Sequence, residues 1–380
     1  MALVQKQFGE LITFTRSSAG GRFNSAGVFE MIPANQPRFD YDPITRQLRG
    51  LLTEEASTNL LLRSSEFSHT VWVATSSGTG VIPSVVQGSH ASPDGGINAC
   101  SLKLVVSAPS DVSSLFQNFL TTTGVSYTTS LWIKAKEEKD VGKQIVLRNT
   151  TGFKLITLGR EFAREDRNEV ANSASNFLRL SLIPSLGTST DEVECVVWGA
   201  QAEAKAFPTS YIPTLASQVT RTPDMPIVNS LSPWWNPQSG TMFVDYTPGP
   251  IGLGSTNVGV YMSSTDPAEN LLVLRDGPGK GNIHGLVSLN RNDTQVSIVG
   301  ARNLPLGTNL RVAFSFGAGS TGVSVNGAKV VKSNGITMPT PTRMGIGIAT
   351  STQQLSNGHV RAVRYYPRQL TDAELEALTK

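Results

Sequence analysis

Residues 35–67 read NQPRFDYDPITRQLRGLLTEEASTNLLLRSSEF and combine two prolines, a charged loop and a leucine run in one short stretch. Pro37 and Pro43 each fix their own φ and bias the preceding residue toward an extended conformation. This stretch therefore predicts an elongated strap with turns rather than a helix. The leucine run at 60–62 is where we expect the first hydrophobic core to begin.

Composition favours a β-rich protein with more than one domain. A chain of 380 residues exceeds what one hydrophobic core usually serves, so two domains with extensions are expected. Charged residues make up only 16% of the chain, which also contains 35 glycines and 21 prolines. Such a sequence favours short strands joined by tight turns, and hence sandwiches or barrels. The net charge of +3 is too small to favour a nucleic-acid partner.

The cysteines and the apolar segments bear on the cellular environment. Cys100 and Cys195 lie in strand-like sequence beside alternating apolar residues, which predicts buried thiols rather than a disulfide or metal ligands. No stretch approaches the roughly 18 consecutive apolar residues of a membrane helix, so membrane insertion is not expected. The first residues lack the pattern of a secretion signal, so ordinary export is not expected either.

Alternation of apolar and polar residues predicts a first antiparallel β-sandwich over residues 58–217. Its clearest strands lie at 101–106, 127–135, 144–148 and 176–182. Three tryptophans that lie in strand-like patterns are expected in the core. They are Trp72, Trp132 and Trp198.

A second antiparallel β-sandwich is expected over residues 227–380. Asn326-Gly327 stands between two β-branched runs, which is the signature of a tight hairpin. Residues 218–226 between the two sandwiches are predicted to be a linker, because two prolines within four residues disfavour both a helix and a central strand.

The N-terminal arm and strap, residues 1–57, contain two short β-type runs at 10–14 and 27–32. These runs flank Gly20-Gly21 and predict a hairpin. An isolated hairpin is marginally stable in water, so this one is expected to dock on another surface.

The last residues predict a short C-terminal helix. Thr371 can cap its N-terminus while Glu374 reaches back to the cap. Leu375 and Leu378 fall on one side, with Leu370 as their partner before the helix. We expect this helix to close the edge of the second sandwich.

Several phrases of the sequence resemble a cassette found in tailed-bacteriophage fibre and spike proteins. They are Phe14-Thr15-Arg16 and the segments 25–28 (SAGV), 37–40 (PRFD), 50–52 (GLL) and 55–61 (EASTNLL). The segments 198–203 (WGAQAE) and 208–214 (PTSYIPT) resemble the jelly-roll of carbohydrate-binding modules. The segments 322–331, 358–366 and 370–375 resemble the laminin-G/concanavalin-like lectin fold. The resemblance implies an all-β chain, with the arm and strap followed by a jelly-roll and then a lectin-like sandwich.

The same resemblance implies a function and a set of partners. The chain is expected to be a bacteriophage virion protein, a tail fibre or head spike, that attaches to the bacterial surface. Its expected partners are other virion proteins, further copies of itself and a host cell-surface glycan. Many proteins of the family it resembles are trimers. It would be assembled in the host cytoplasm and reside in the virion. The alternatives are a capsid decoration or cement protein without glycan binding and a polysaccharide depolymerase.

Catalytic motifs are missing from the sequence. The four histidines are scattered, with no zinc-protease or nucleophile-elbow phrase. Glu192 and Glu194 fall on one face of a strand, but a solvated face explains them better than a glycosidase carboxylate pair. No catalytic residue is expected, and the chain is expected not to be an enzyme.

Candidate glycan-binding residues are confined to the second sandwich. Trp234 and Trp235 stand in a proline-flanked segment where an indole face can meet a sugar ring. Packing of both rings at the boundary with the strap or with another subunit is the alternative. A polar rim for glycan contact is expected from residues that flank loops of the same sandwich, namely Arg275, His284, Asn290 and Arg291.

Two further sets of residues complete the predictions. Arg38, Phe39, Asp40 and Tyr41 are predicted to form an assembly clasp, because the strap carries more Arg, Asp and Pro than a linker needs. In the second sandwich, loop aspartates offer oxygen ligands that suit Ca²⁺. Ordinary turn aspartates are the alternative, and no cofactor is otherwise expected. These aspartates are Asp266, Asp276 and Asp293.

Overall fold

The structure is a computed structural model, and the residues it describes fall into two compact units. Described are residues 8–250, 257–263, 270–276, 283–287, 296–301, 307–317, 319–334, 341–348 and 356–380. The side chains of residues 8, 257–258, 270–276, 283–287 and 296–301 are outside this description. Unit 1 comprises Met1–Ala19, Ile32–Ala56 and Thr222–Lys380, and unit 2 comprises Gly20–Met31 and Ser57–Arg221.

The secondary structure is dominated by strands. The N-terminal elements are α1 (Phe8–Leu11), β1 (Thr13–Thr15), β2 (Gly20–Phe23), β3 (Phe29–Ile32), β4 (Phe39–Tyr41) and β5 (Leu48–Thr53). They are followed by β6 (Ser57–Asn59), β7 (Val73–Ser77), β8 (Val81–His90), β9 (Ala99–Val105), β10 (Val112–Leu120), β11 (Ser126–Ala135), β12 (Gln144–Asn149), β13 (Gly152–Thr157), β14 (Ala163–Val170), β15 (Ser175–Leu182), β16 (Glu192–Glu203) and β17 (Val219–Arg221), with 3₁₀ turns at Glu138–Asp140 and Pro184–Leu186. The rest are β18 (Met225–Val228), β19 (Ser239–Thr247), β20 (Asn257–Ser263), β21 (Asn270–Asp276), β22 (Ile283–Val287), β23 (Val296–Ala301), β24 (Leu310–Gly317), β25 (Ser320–Val325), β26 (Val331–Asn334), β27 (Arg343–Ile346), β28 (Gly358–Tyr366) and α2 (Asp372–Thr379).

The described strands of unit 1 form two seven-stranded sheets that pack as a sandwich. Sheet A has the order β1-β18-β27-β20-β21-β22-β23, and sheet B has the order β26-β25-β24-β19-β28-β5-β4. Side chains of β19 and β24 in sheet B, such as Met242 and Phe314, share one core with Val260 and Met344 of sheet A. The buried positions run almost continuously along β19 and β24, because both faces of these strands are covered.

The predicted strap supplies two strands of sheet B. β5 pairs with β28, and β4 pairs with β5. Gly50 has a φ of +126°, and a Cβ there would lie 2.6 Å from the carbonyl oxygen of Val360. Glycine is needed at this position, because other residues rarely adopt that φ and would collide. Further along, Leu61 is fully buried in the core of unit 2, but Leu51 and Leu52 are already buried, so the first core begins before the leucine run.

A buried ionic cluster joins three stretches of chain within unit 1. We call it the Asp224 cluster, and it consists of Arg16, Arg38, Glu54 and Asp224. Arg16 Nη1 donates to Asp224 Oδ1 at 2.9 Å, while Arg38 Nη2 contacts Asp224 Oδ2 and lies 2.8 Å from Glu54 Oε2. The backbone N–H of Glu54 also donates to Asp224 Oδ2, at 2.9 Å. The exposed fraction of each of the four side chains is 6% or less.

The cluster is balanced in charge, with two guanidinium groups against two carboxylates. Burial alone would lower the pKa of Arg38, but the charges of Asp224 and Glu54 outweigh burial and raise this pKa. Arg16 is further satisfied by the carbonyl oxygens of Ser18, Ile32 and Pro33. Such a cluster costs desolvation when it forms, but removal of one partner leaves a charge buried and unpaired.

Residues 218–226, the predicted linker, carry Asp224 between two strands. β17 pairs with β6 in unit 2, and β18 pairs with β1 and β27 in sheet A. The carboxylate on which the cluster depends therefore comes from this short segment.

The C-terminal helix covers one face of sheet B. Thr371 is its N-cap, and a complete capping box links Thr371 and Glu374, so the predicted cap is confirmed. Leu370 and Leu375 are buried against Phe243 of β19 and against β24. The helix therefore lies over the side of sheet B that faces away from the sandwich core.

Unit 2 is a second sandwich, made of two five-stranded sheets. Sheet C has the order β13-β12-β15-β10-β7, and sheet D has the order β14-β11-β16-β9-β8. Leu147 and Leu180 of sheet C meet Leu102 and Ile133 of sheet D in one core. Together with unit 1, this confirms an all-β chain with two antiparallel sandwiches and a short C-terminal helix.

Both cysteines are buried free thiols in sheet D, as predicted. Burial raises the pKa of Cys100 to about 11, and burial also raises the pKa of Cys195. Both side chains therefore stay protonated at neutral pH. Among the described residues, none of the helices has the length and apolar character that would let it cross a membrane.

The N-terminal hairpin differs from the prediction. β2 pairs with β3 through a turn at residues 24–28, whereas β1, which overlaps the run at 10–14, pairs with β18. A Cβ at Gly21 would lie 2.3 Å from the ring of Phe29, so this glycine permits close packing within a strand. The predicted pairing of the two runs around Gly20-Gly21 was wrong, because the turn is formed around Asn24.

We predict that Asp224→Ala lowers the free energy of unfolding of unit 1 by about 3–5 kcal/mol, because Arg16 and Arg38 lose their shared acceptor while buried. Guanidinium chloride denaturation followed by tryptophan fluorescence measures the change. The control is Asp372→Ala, which removes an exposed ion pair with Lys332 and should cost less than about 1 kcal/mol. Equal losses in the two variants would contradict the assigned role of Asp224.

Asp111 in unit 2 generates a prediction about acid stability. Hydrogen bonds from the hydroxyl of Thr79 and from the backbone N–H groups of Ser107, Thr79 and Ala108 lower its pKa from 3.8 to about 2. A lowered pKa in the folded state contributes stability above pH 3.8, and this contribution is lost as the pH falls toward 2.

Asp111→Asn should therefore flatten the fall in stability of unit 2 between about pH 4 and pH 2. Urea unfolding midpoints across this range provide the measurement. Asp191→Asn changes a mostly exposed side chain and serves as the control, whose pH profile should match that of the unmodified protein. Parallel profiles for all three proteins would show that Asp111 makes no such contribution.

Candidate functional site

An aromatic cluster lies on the outer face of sheet D, where the β2–β3 hairpin docks. The ring of Phe29 in the hairpin lies 5.6 Å from that of Trp198 and 5.6 Å from that of Tyr211, measured between centroids. Trp132 lies 5.3 Å from Trp198. All four rings are buried. The predicted burial of both tryptophans is confirmed, and Trp72 is buried in the main core. The hairpin that docks here is β2–β3 and not the predicted pair of runs.

A groove opens beside this cluster, and we call it the aromatic groove. Its cavity volume is about 220 Å³. The apolar part of the wall combines the buried rings with side chains from the hairpin and from the chain after sheet D. The residues lining the groove are Phe29, Glu30, Met31, Ser65, Asp94, Trp198, Tyr211 and Pro213.

A hydrogen-bond network fixes the polar side of the aromatic groove. Trp198 Nε1 donates to Asn98 Oδ1 at 2.7 Å, and Asn98 Nδ2 donates to Asp94 Oδ2 at 2.8 Å. Asp94 Oδ1 accepts from Ser92 Oγ and from the Gly96 backbone N–H. Burial raises the pKa of Asp94, but these hydrogen bonds outweigh it and leave the pKa below its ordinary value. The carboxyl group therefore stays ionised and held in one orientation.

The second carboxylate of the aromatic groove is Glu30. Arg22 Nη2 lies 2.7 Å from Glu30 Oε1, and Asn24 Nδ2 donates to Glu30 Oε2 at 3.3 Å. The side chain remains 37% exposed, so its oxygens also reach solvent. Carboxylates next to an aromatic wall can accept hydrogen bonds from hydroxyl groups while the rings contact C–H groups. At about 220 Å³ the groove is smaller than the roughly 300–1,000 Å³ of ordinary small-molecule sites, so it has room for at most one small ring.

The four residues of the predicted clasp lie in β4 or just before it. Arg38 is fully buried in the Asp224 cluster, and Asp40 is 5% exposed, while Phe39 and Tyr41 are half-buried. Asp40 Oδ2 lies 2.9 Å from Nε2 of His359. Both charged residues thus have partners inside unit 1, and loss of Arg38 would destabilise that unit directly. A role of these residues in contacting a neighbouring chain stays a prediction.

Trp234 and Trp235 pack on the core of unit 1 as half-buried side chains. The ring of Trp235 lies 5.2 Å from that of Phe316 and 5.0 Å from that of Tyr365. The ring of Trp234 lies 5.3 Å from Tyr365. Within the described part of the chain, neither indole N–H has a hydrogen-bond partner. The two rings therefore contribute to the core rather than forming an open platform.

The predicted polar rim is described only in part. Arg275 and His284 lie directly opposite each other on β21 and β22, and their side chains are outside the described residues. Asn290 and Arg291 lie outside the described residues altogether. The same is true of the aspartates proposed for Ca²⁺, Asp266 and Asp293, and of the side chain of Asp276.

Glu192 and Glu194 lie at the surface among lysines of unit 2. Hydrogen bonds from Lys103 to Glu192 and from Lys136 to Glu194 lower the pKa of each carboxyl group. Each group therefore stays ionised at neutral pH. Neither is suited to be the proton donor of a glycoside hydrolase, which needs a raised pKa.

The residues of the aromatic groove were not predicted from the sequence. Ser92-Pro93-Asp94-Gly95-Gly96 reads as a turn, and the run at 27–32 reads as a strand. Nothing local places these two segments beside Trp198. The one available signal was that a marginal hairpin must dock on a larger surface.

Comparisons with known proteins leave the family open. No family model matches the chain, and no curated protein matches it. One similar solved structure is domain 4 of the extracellular arabinanase AbnA from Geobacillus stearothermophilus in complex with arabinotriose. It is 14% identical, covers 46% of this chain and 82% of its own, and has a TM-score of 0.34.

Two further solved structures are similar over more of the chain. The CBM22-1–CBM22-2 tandem domain of Xyn10C from Paenibacillus barcinonensis is 11% identical, covers 83% of this chain and 99% of its own, and has a TM-score of 0.27. Domains LG4-5 of the mouse laminin α1 chain are 11% identical, cover 67% of this chain and 85% of their own, and have a TM-score of 0.25. Likenesses this weak identify no function, and none of the three proteins comes from a bacteriophage.

Proposed function

We propose that this protein is a virion structural protein of the fibre or spike type, which displays two β-sandwiches for attachment to carbohydrate on the bacterial surface. The aromatic groove of unit 2 is the observation that carries the carbohydrate-binding part of this proposal. The sequence phrases shared with tailed-bacteriophage fibre and spike proteins support the virion part.

The groove favours a neutral sugar over other ligand classes. Its two carboxylates, Asp94 and Glu30, repel anions and accept hydrogen bonds from hydroxyl groups. The buried rings of Phe29, Trp198 and Tyr211 hold one another in place and make the groove rigid. Its exposed apolar surface comes mainly from Met31. A rigid site loses little conformational entropy when a ligand binds.

The phage-like phrases contain residues that hold the fold together. Arg16 and Arg38 belong to the Asp224 cluster. The side-chain amide of Asn59 donates to the carbonyl oxygens of Ala200 and Ile212. Phrases that are far apart in sequence thus meet through buried polar contacts, which supports a fold shared with the proteins they resemble.

A glycan array tests the carbohydrate-binding part. We predict that the full chain binds neutral bacterial glycans and that Ser65→Gln lowers binding by at least about ten-fold, because the longer side chain fills the groove. Ser68→Gln makes the same change at an exposed position outside the groove and should bind normally.

Unchanged binding by Ser65→Gln would contradict the assignment of the site. No binding by the unmodified chain would favour a decoration or cement role, and release of reducing sugar from host polysaccharide would favour a depolymerase.

The virion part has its own test. Immunogold labelling of purified particles with an antibody against unit 1 should mark the outside of the tail or the head. We expect the label to remain after the particles are washed in high salt, because a structural protein is held by an extensive interface. Particles that carry no label, with the protein found only in cell extract, would contradict a virion role.

A further inference from the structure

A row of five residues crosses the five strands of sheet C in unit 2. Strand pairing places each residue directly opposite the next, in the order Val73, Phe116, Arg179, Arg148 and Phe153. We call this set the arginine row. Four gaps between strands of about 4.8 Å each give the row a length of about 19 Å.

The arginine row lies on the outer face of the sandwich. The residues next to it along the strands, such as Leu115, Leu147 and Leu180, belong to the core, and successive side chains alternate between the two faces. Phe153 is 43% exposed and Val73 is 40% exposed. The row is therefore open to solvent at both ends.

Neither arginine of the row has an anionic partner. Across unit 2, whose residues are all described, no ion pair or hydrogen bond connects Arg148 or Arg179 to a carboxylate, and the Nε atom of each is buried without an acceptor. Other arginines of this unit are paired, for example Arg63 with Glu66 and Arg160 with Glu138.

Aromatic rings take the place of a carboxylate at Arg179. Its guanidinium carbon lies 4.1 Å from the ring centroid of Phe116 and 4.6 Å from that of Phe177. These contacts hold the guanidinium plane in position, and the Nη atoms of Arg179 make no hydrogen bond to other residues of unit 2.

The two like charges oppose each other across neighbouring strands. Such a pair destabilises a sheet unless something offsets the repulsion. Burial, and then the charge of Arg148, lower the pKa of Arg179, which shows the same repulsion. A bound anion would offset it, and a carboxylate matches the planar, forked geometry of guanidinium groups.

We propose that the arginine row binds the carboxylate of an acidic sugar unit within a polysaccharide. Arg148 and Arg179 would share the carboxylate, while Phe116 and Phe153 on either side would contact the C–H faces of sugar rings. The length of the row suits a polymer segment better than a small ion. The choice of a saccharide as the carrier of the carboxylate rests on the proposed carbohydrate-binding function.

This site differs from the aromatic groove in position and in charge. The groove lies on the outer face of sheet D and presents carboxylates, whereas the row lies on the outer face of sheet C and presents guanidinium groups. The two sites should therefore select sugars of different charge, and each can be removed without altering the other.

The test measures binding of polygalacturonate to the full chain by isothermal titration calorimetry. The variant is Arg148→Gln with Arg179→Gln, and the control is Arg63→Gln with Arg160→Gln, which removes the same charge elsewhere on unit 2. We expect the first pair to weaken binding by at least about ten-fold and the control pair by less than about two-fold. Carboxyl-reduced polygalacturonate lacks the carboxylate, so the unmodified chain and both double variants should not differ in their affinity for it.

The Tm of the double variant distinguishes a binding role of Arg148 and Arg179 from a purely structural role. Because Arg148→Gln with Arg179→Gln removes a repulsion, its Tm should equal or exceed that of the unmodified chain. A lower Tm together with lost binding would mean that the arginines only support the sheet, which would overturn the proposal. Equal losses in both double variants, no binding of polygalacturonate by the unmodified chain, or equally tight binding of a DNA oligonucleotide would also overturn it.

The binding of polygalacturonate should not depend on the aromatic groove. Ser65→Gln should bind polygalacturonate normally. If neutral glycans fail to bind but polygalacturonate binds through the row, the proposed function of the groove fails and the arginine row stands.

Discussion

The carboxylate of Asp224 is the contact on which the architecture of unit 1 depends most. It accepts hydrogen bonds from Arg16, Arg38 and the backbone of Glu54, which come from two N-terminal stretches, while Asp224 itself precedes β18. In a buried position these charges tolerate only arrangements in which each has a partner. The cluster therefore fixes where β1, β4 and β5 join the two sheets, and it makes the N-terminal segments part of the sandwich.

Sequence patterns correctly predicted the features that depend on residues close together in the chain. Alternation located Trp132 and Trp198 in buried strand positions, and the Thr371 cap followed from the chemistry of a helix N-terminus. Asp224 was missed because a charged residue between two prolines looks like part of a linker. Its partners Arg38 and Arg16 lie 186 and 208 residues away in sequence. The hairpin was misplaced because Gly20-Gly21 resembles a turn, whereas the packing of Phe29 requires glycine within a strand.

Strand register also limited the prediction of binding sites. The strands at 144–148 and 176–182 were recognised, and their alternation places Arg148 and Arg179 on outward faces. The two arginines lie directly opposite each other because of the register in which β12 pairs with β15. No short segment of the sequence determines this register. The aromatic groove likewise needs the hairpin, the loop at 92–96 and β16 to come together. Unit 2 thereby acquires one candidate site on the outer face of each of its two sheets.

Hydrogen–deuterium exchange measured on the full chain tests most directly whether the Asp224 cluster builds the N-terminal segments into unit 1. The comparison is between the unmodified protein and Arg38→Met, which keeps much of the apolar volume but removes the charge. Peptides containing β1, β4, β5 and β18 should lose protection together, while peptides from sheets C and D keep theirs. Loss confined to the residues next to position 38, or unchanged protection throughout, would contradict this account.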